Sequence, residues 1–319
     1  MVAEPVADIE KMTSRELGLV LAQQLLGVED LHYGLWDADL ALSLANLVPA
    51  QQRYTELLLG HVAQQLAGIQ RPRVLDVGCG TGHMLQLMLE RGYHVDAVNP
   101  SAHLNRQLLA RLEQLPGAPT TLFATRFETL PPDACRQDYD LLLFSESFQY
   151  VPLPDIFART PALLRPGGTV VLADFFKTAA HCDGAAGDRS FSGGHILAEF
   201  YRRLAASPFE VLHDEDLTAR VSPNIALLDE WLTRRLVPAA GSVDQYLCGT
   251  YPRTTRVLKW LLRHKLERVR YKYLSGNRSQ AVFEKYKNYR LLVLRLGNGE
   301  QHANVNAKAN HTSAGQRDS

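Results

Sequence analysis

Apolar residues recur at three- and four-residue intervals through LGLVLAQQLLG (17–27) and RYTELLLGHVAQQLAG (53–68), which predicts helices across about residues 13–70. Between them LHYGLWD (31–37) interrupts the period as an aromatic turn. From residue 73 the period changes. RVLDVG (73–78) is a short apolar run ending in glycine and predicts a buried strand, GHMLQLMLERG (82–92) a helix closed by Gly92, and YHVDAVN (93–99) a second strand. SAHLNRQLLARLEQL (101–115) predicts a helix opened by a serine cap after Pro100. TTLFAT (120–125), YDLLLFS (139–145) and GGTVVLADFF (167–176) predict strands, with a helix in YVPLPDIFARTPALL (150–164) before the last of them. EFYRRLAASPFEVLHDEDLT (199–218) adds a helix and a sixth strand, and NYRLLVLRL (288–296) a final strand, expected antiparallel at the sheet edge. Strands alternating with helices at this spacing imply an α/β domain with a mostly parallel sheet covered on both faces.

The resulting division is an N-terminal helical cap region (1–70), a core (71–216), a mostly helical segment (217–287), a last core strand (288–296) and a polar, aromatic-free tail (297–319) expected to be disordered. The segment 217–287 is too long for a connection and is expected to form a lid over the sheet.

Composition adds a boundary and an asymmetry. No apolar run reaches the roughly 18–20 residues of a membrane span, and the acidic N-terminus lacks the apolar stretch of a secretory signal. Cys79, Cys135, Cys182 and Cys248 show neither CxxC nor Cys/His metal spacing, so the expectation is a reduced cytoplasmic protein without disulfides or a bound metal. Lys/Arg and Asp/Glu both total 34, yet residues 253–278 hold nine Lys/Arg against Glu267 alone, leaving −8 on the remainder. In that segment Leu258, Leu262, Leu266, Val269 and Tyr273 form an apolar stripe with Arg256, Lys259, Arg263 and Arg270 off it. The helix reads as a solvated lid face, a docking face for an acidic or carrier-type partner, or a membrane-surface contact; nucleic acid is not expected on an otherwise acidic body.

The chemistry concentrates in VLDVGCGTGHM (74–84). Glycines at 78, 80 and 82 between a strand and a helix leave room for a ligand to approach the backbone at a helix N-terminus. The spacing is GxGxG rather than the dinucleotide GxGxxG, with His83 in the sixth place, and no lysine follows as a P-loop requires. VLDVGCGTG closely resembles motif I of the class I S-adenosylmethionine-dependent methyltransferases. YDLLLFSESFQYV resembles that family's fourth-strand motif, and LLRPGGTVVLADF its hairpin before strand five. LHYGLWD and DLTARVSPNI resemble the small-molecule and lipid subgroup that includes tocopherol, sterol and fatty-acid methyltransferases. The resemblance implies a Rossmann-like, doubly wound, mostly parallel seven-stranded sheet binding S-adenosylmethionine.

By that resemblance Gly78, Gly80 and Gly82 line the methionine portion, Asp76 holds its amino group, Ser145 follows on strand four, and Phe127 and Glu128 sit beside the adenine with Arg126. Asn99 stands where an acidic residue usually grips the ribose hydroxyls; an amide still accepts and donates there. Tyr33 and Trp36 are candidates to cover the cofactor, with Trp36 alternatively stapling the N-terminal helices to the core. For catalysis Glu146 after strand four can orient substrate, take a proton or cap a helix, Tyr150 can touch substrate or pack, and His195 is the general-base candidate or a helix-start histidine bonded to backbone. The implied activity is methylation of a small molecule, most directly O-methylation of a lipid-like, polyketide or other secondary-metabolite acceptor. The alternatives are a catalytically weak cofactor-binding regulator and an RNA or protein methyltransferase using residues 253–278.

Overall fold

The computed structural model describes residues 20–21, 23–24, 27–29, 32–115, 117, 119–131, 137–185, 187–274 and 277–297. Residues 20, 21, 23 and 24 are helical; most of the first expected helix, and all but the first residue of the expected tail, lie outside the described residues. Helix α1 (Leu47–Gln65) buries Ala50, Tyr54, Leu58, Leu59 and Val62, one face at helical spacing, toward the sheet.

The Rossmann-like core follows in the order β1 (Arg73–Val77), α2 (His83–Glu90), β2 (His94–Val98), α3 (Ala102–Leu112), β3 (Leu122–Phe123), β4 (Tyr139–Ser145), α4 (Leu153–Leu163), β5 (Leu164–Lys177), α5 (Leu197–Ala205) and β6 (Phe209–Asp216). Helices α6 (Thr218–Val221), α7 (Pro223–Trp231), α8 (Val237–Thr250), α9 (Pro252–Leu274) and α10 (Gln280–Tyr286) precede β7 (Lys287–Leu296). The seven strands lie in the order β3-β2-β1-β4-β5-β7-β6, with β1 to β5 parallel where they pair and β7 antiparallel to both neighbours. β1, β2 and β4 are buried almost throughout because helices cover both faces. Two expected caps form: Ser101 accepts from the Leu104 N–H at 3.3 Å, and Gly92 (φ 83°) closes α2.

One expectation fails. β7 is antiparallel as expected but lies inside the sheet, and β6 takes the edge. The consecutive buried residues Leu291, Leu292, Val293 and Leu294 mark an interior strand, whereas FEVLHDED carries four acidic residues and has none fully buried.

The helical segment braces the aromatic turn at its near end. Asn224 on α7 donates to the Gly34 carbonyl at 2.6 Å and to the Val221 carbonyl at 2.7 Å, and accepts from the Gly34 N–H at 3.0 Å. Arg220 grips Asp37 at 2.7 and 3.1 Å. Trp36 packs with Ala50, Leu227, Leu40 and Leu47. Asn224→Ala strands the buried Gly34 N–H and is expected to cost about 2–3 kcal/mol. Urea unfolding measures it; a loss under about 0.5 kcal/mol would show that the turn is held elsewhere.

Candidate active site

A cavity of about 770 Å³ opens at the carboxyl ends of β1, β2 and β4, where the strand order reverses across β1 and β4. Its floor is the glycine loop. Gly78, Gly80 and Gly82 all have positive φ, at 78°, 58° and 86°. The three are not equivalent. A Cβ on Gly78 would lie 2.4 Å from the Ser147 Cβ, and one on Gly82 2.3 Å from Leu108 Cδ1, so these two glycines permit close packing. A Cβ on Gly80 would meet nothing within 4 Å, and Gly80 lines the cavity. Gly82 does not line it; it caps α2, its carbonyl accepting from the Gln86 N–H at 2.9 Å.

Asp76 lines the cavity from the end of β1, and Asn99 from the loop after β2. Asn99 binds the loops together: Nδ2 donates to the Gly80 carbonyl at 3.2 Å and Oδ1 accepts from the Ser101 N–H at 3.2 Å. An amide serves both directions at once, which a carboxylate cannot. Arg126, Phe127 and Glu128 form a further wall, with the Phe127 ring edge-on to Phe144 at 5.6 Å. Val77, Met84, Val98 and Leu104 supply apolar surface.

The opposite wall is a buried polar relay. Glu146 follows β4 in the left-handed region (φ 53°), which turns its carboxyl back into the cavity wall. Its Oε1 accepts from the Tyr33 N–H at 2.8 Å and the Tyr289 hydroxyl at 2.9 Å. Tyr289 Oη is also 3.2 Å from Tyr54 Oη, which is 3.0 Å from Ser145 Oγ. Each hydroxyl has one proton, so with Tyr289 donating to the carboxylate it accepts from Tyr54. Burial pushes the Glu146 pKa up, opposed by His32 and the two hydrogen bonds; burial also holds Tyr54 and Tyr289 well above the ordinary phenol range, so both stay protonated donors. His32 lines the same wall, its ring stacked on Tyr54 at 4.4 Å and Nδ1 3.0 Å from the Tyr33 carbonyl. That carbonyl can only accept, so Nδ1 carries a proton.

The structure therefore gathers Asp76, Gly78, Gly80, Asn99, Phe127, Glu128, Ser145, Glu146 and the exposed Tyr150 around one cavity. Three other expected residues lie off it. Tyr33 packs its ring on Phe283 and Tyr289 and contributes only its backbone N–H to Glu146. Trp36 is the staple between α1 and α7 rather than a cofactor cover. His195 donates Nε2–H to the Phe148 carbonyl at 3.1 Å and sets its ring against Phe148 at 5.7 Å, the backbone-bonded helix-start histidine of the alternative reading. No described side chain of residues 217–287 lines the cavity; within that segment Arg220, Asn224 and Leu227 hold the aromatic turn. His32, Tyr54, Ser147 and Tyr289 were not anticipated. His32 sits inside the quoted aromatic turn, but Tyr289 has no local signal, since its partner Glu146 is 143 residues away.

These residues fit S-adenosylmethionine. The open space above Gly80 is a cradle that any Cβ would fill, carboxylates at Asp76 and Glu128 can meet an ammonium group and a polar base, and the apolar wall suits a ring and a thioether.

Comparison with known proteins bears on family and fold. A family described as Methyltransferase domain matches residues 51–213. Among curated proteins, the ubiquinone biosynthesis O-methyltransferase of Pectobacterium atrosepticum is 32% identical over 127 residues, covering 40% of this chain and 50% of its own. That of Bordetella avium is 34% identical over 144 residues, covering 44% and 55%. The chain thus spans about half the length of the curated relatives it matches. Among solved structures, geranyl diphosphate C-methyltransferase from Streptomyces coelicolor superposes with a TM-score of 0.61 at 17% identity, covering 86% of this chain and 92% of that one. An N-methyltransferase from Haemonchus contortus gives a TM-score of 0.58 at 14% identity, over 89% and 58%. At these identities the likeness is one of fold.

Proposed function

Because the chain belongs to the class I S-adenosylmethionine-dependent methyltransferases, we propose that it methylates a hydroxyl oxygen of a small, lipid-like acceptor, with Glu146 receiving the proton. The observation that carries this reading is the half-used carboxylate of Glu146. Both its hydrogen bonds go to Oε1, while Oε2 receives none from the described residues and the side chain lines the cavity.

Bound in the cavity, S-adenosylmethionine supplies a methyl group on a sulfonium, which an acceptor displaces directly. A hydroxyl acceptor must lose its proton as the oxygen attacks, whereas a carboxylate needs no base. Glu146 Oε2 takes that proton. Tyr289 and the Tyr33 N–H hold the carboxylate at a fixed angle through Oε1, and burial raises its basicity above that of an exposed glutamate. Stacked His32 and Tyr54 keep water from the far side of the carboxylate, and Tyr150 stands exposed at the rim, placed to meet an incoming acceptor. The curated relatives are O-methyltransferases whose name places them in ubiquinone biosynthesis, which supports an oxygen acceptor with an apolar body.

The test uses the full chain, methyl-labelled S-adenosylmethionine and matched acceptors: phenols with and without an apolar tail, and the corresponding anilines. The expected result is O-methyl product, by mass spectrometry, with the tailed phenol preferred. Product from the anilines alone, or a new carbon–carbon bond, would overturn the oxygen assignment.

A further inference from the structure

The chain carries a second exposed feature that the cavity does not use. Helices α8 and α9 form a hairpin that stands off the core, with α9 packed chiefly on α8. The two are locked together by polar contacts. Thr255 is buried between them, its hydroxyl 3.0 Å from the Leu247 carbonyl and 2.8 Å from that of Tyr251, and Lys259 pairs with Asp244 at 2.7 Å.

Locking the pair in this way turns apolar residues outward. Val257, Trp260, Leu261 and Tyr271 fall on one arc of α9 at helical spacing and are 58%, 64%, 63% and 46% exposed. Val243 and Tyr246 on α8 and Tyr251 at the bend are exposed as well. This arc is not the stripe expected from sequence: of that stripe Leu258 is exposed and Leu262 half-buried, and the side chains of Leu266, Val269, Arg270 and Tyr273 lie outside the described residues. Beside the outward arc stand Arg256 and Arg263, within a segment of net +8. A soluble surface rarely leaves so many large apolar side chains together without a partner.

We propose that the outer face of the α8–α9 hairpin docks on an anionic phospholipid surface. An amphipathic helix with tryptophan and leucine on one arc and Lys/Arg alongside is suited to the boundary between headgroups and acyl chains, where apolar burial and charge attraction act together. A second copy of this chain is disfavoured as occupant, because a two-fold interface would set +8 against +8. A nucleic acid would satisfy the charge and leave the aliphatic residues without a partner. The remaining −8 of the chain is repelled by the same surface, which orients the molecule with the hairpin down. The docking face does not depend on the acceptor that the cavity takes.

The experiment is co-sedimentation of the full chain with phosphatidylcholine vesicles, with and without roughly one-third phosphatidylglycerol. Binding is expected on the anionic vesicles, at least about tenfold stronger than on neutral ones. Trp260→Ser with Leu261→Ser should weaken it about tenfold or more, and Arg256→Glu with Arg263→Glu should do the same and remove its salt dependence. Calorimetric affinity for S-adenosylhomocysteine should stay unchanged in both variants, showing that each is folded. Equal binding of wild type and both variants, no binding to anionic vesicles at low salt, or salt-sensitive capture of single-stranded nucleic acid without vesicle binding would each overturn the proposal. So would dimerisation of the wild type that Trp260→Ser abolishes.

Discussion

Replacing Gly80 by valine is expected to weaken S-adenosylhomocysteine binding at least about 100-fold, near 2.7 kcal/mol, while leaving the sheet folded. The size of the effect follows from where the side chain goes. Around Gly80 there is no heavy atom within 4 Å of a Cβ, so the new methyls meet cavity and not protein. They occupy the space in which the cofactor must lie against the loop. A smaller share comes from the backbone, because φ at 58° is left-handed and costs a β-branched residue about 1–2 kcal/mol. Gly80→Ala separates the two: it carries much of the strain and little of the bulk, so its affinity should fall less than that of valine. Titration calorimetry reads the affinity, and far-UV circular dichroism with thermal melting reads the fold. Binding of Gly80→Val within about threefold of wild type would remove the cofactor from this loop.

The second large effect is on turnover. Glu146→Gln keeps an oxygen for the Tyr33 N–H and the Tyr289 hydroxyl but gives Oε2 up to an amide that cannot take a proton. The expected loss is about 10²–10⁴-fold in kcat, with cofactor affinity little changed. The pH profile carries the sign. Burial raises the Glu146 pKa above the ordinary carboxylate value of 4.5, so the base form is fully present well above the raised value and is lost as pH falls through it. Wild-type kcat/KM should therefore decline on the acid side at a pH above that of an exposed glutamate, and the variant should lack that limb. An acid limb retained in Glu146→Gln would assign the proton to another group.

The sheet was largely readable because buried parallel strands write their position as short, mostly apolar runs between glycine and cap signals. RVLDV, HVDAV and YDLLLFS are each strands within a residue of where the pattern put them. The glycine loop was readable for a related reason: it is one contiguous strand, turn and helix. The acceptor side is not contiguous. Tyr33, Tyr54, Glu146 and Tyr289 come from a turn, a helix, a strand end and the last strand, and no spacing within any one of them announces the relay. His195 misled because two glycines before a helix resemble a ligand loop. Here those glycines accommodate neighbours instead, Gly193 against Gln149 and Gly194 against Phe175.

The placement of β7 has a consequence for the order in which the molecule becomes competent. The ribosome releases the glycine loop, Asp76 and Glu146 well before Tyr289, and the strand that lies between β5 and β6 follows both in the chain. Without Tyr289 the chain has the parts of the cavity but a Glu146 carboxylate with only one of its two hydrogen-bond partners, the Tyr33 N–H. On the proposed mechanism the strand synthesised last therefore completes the setting of the base, after every residue of the glycine loop has been made.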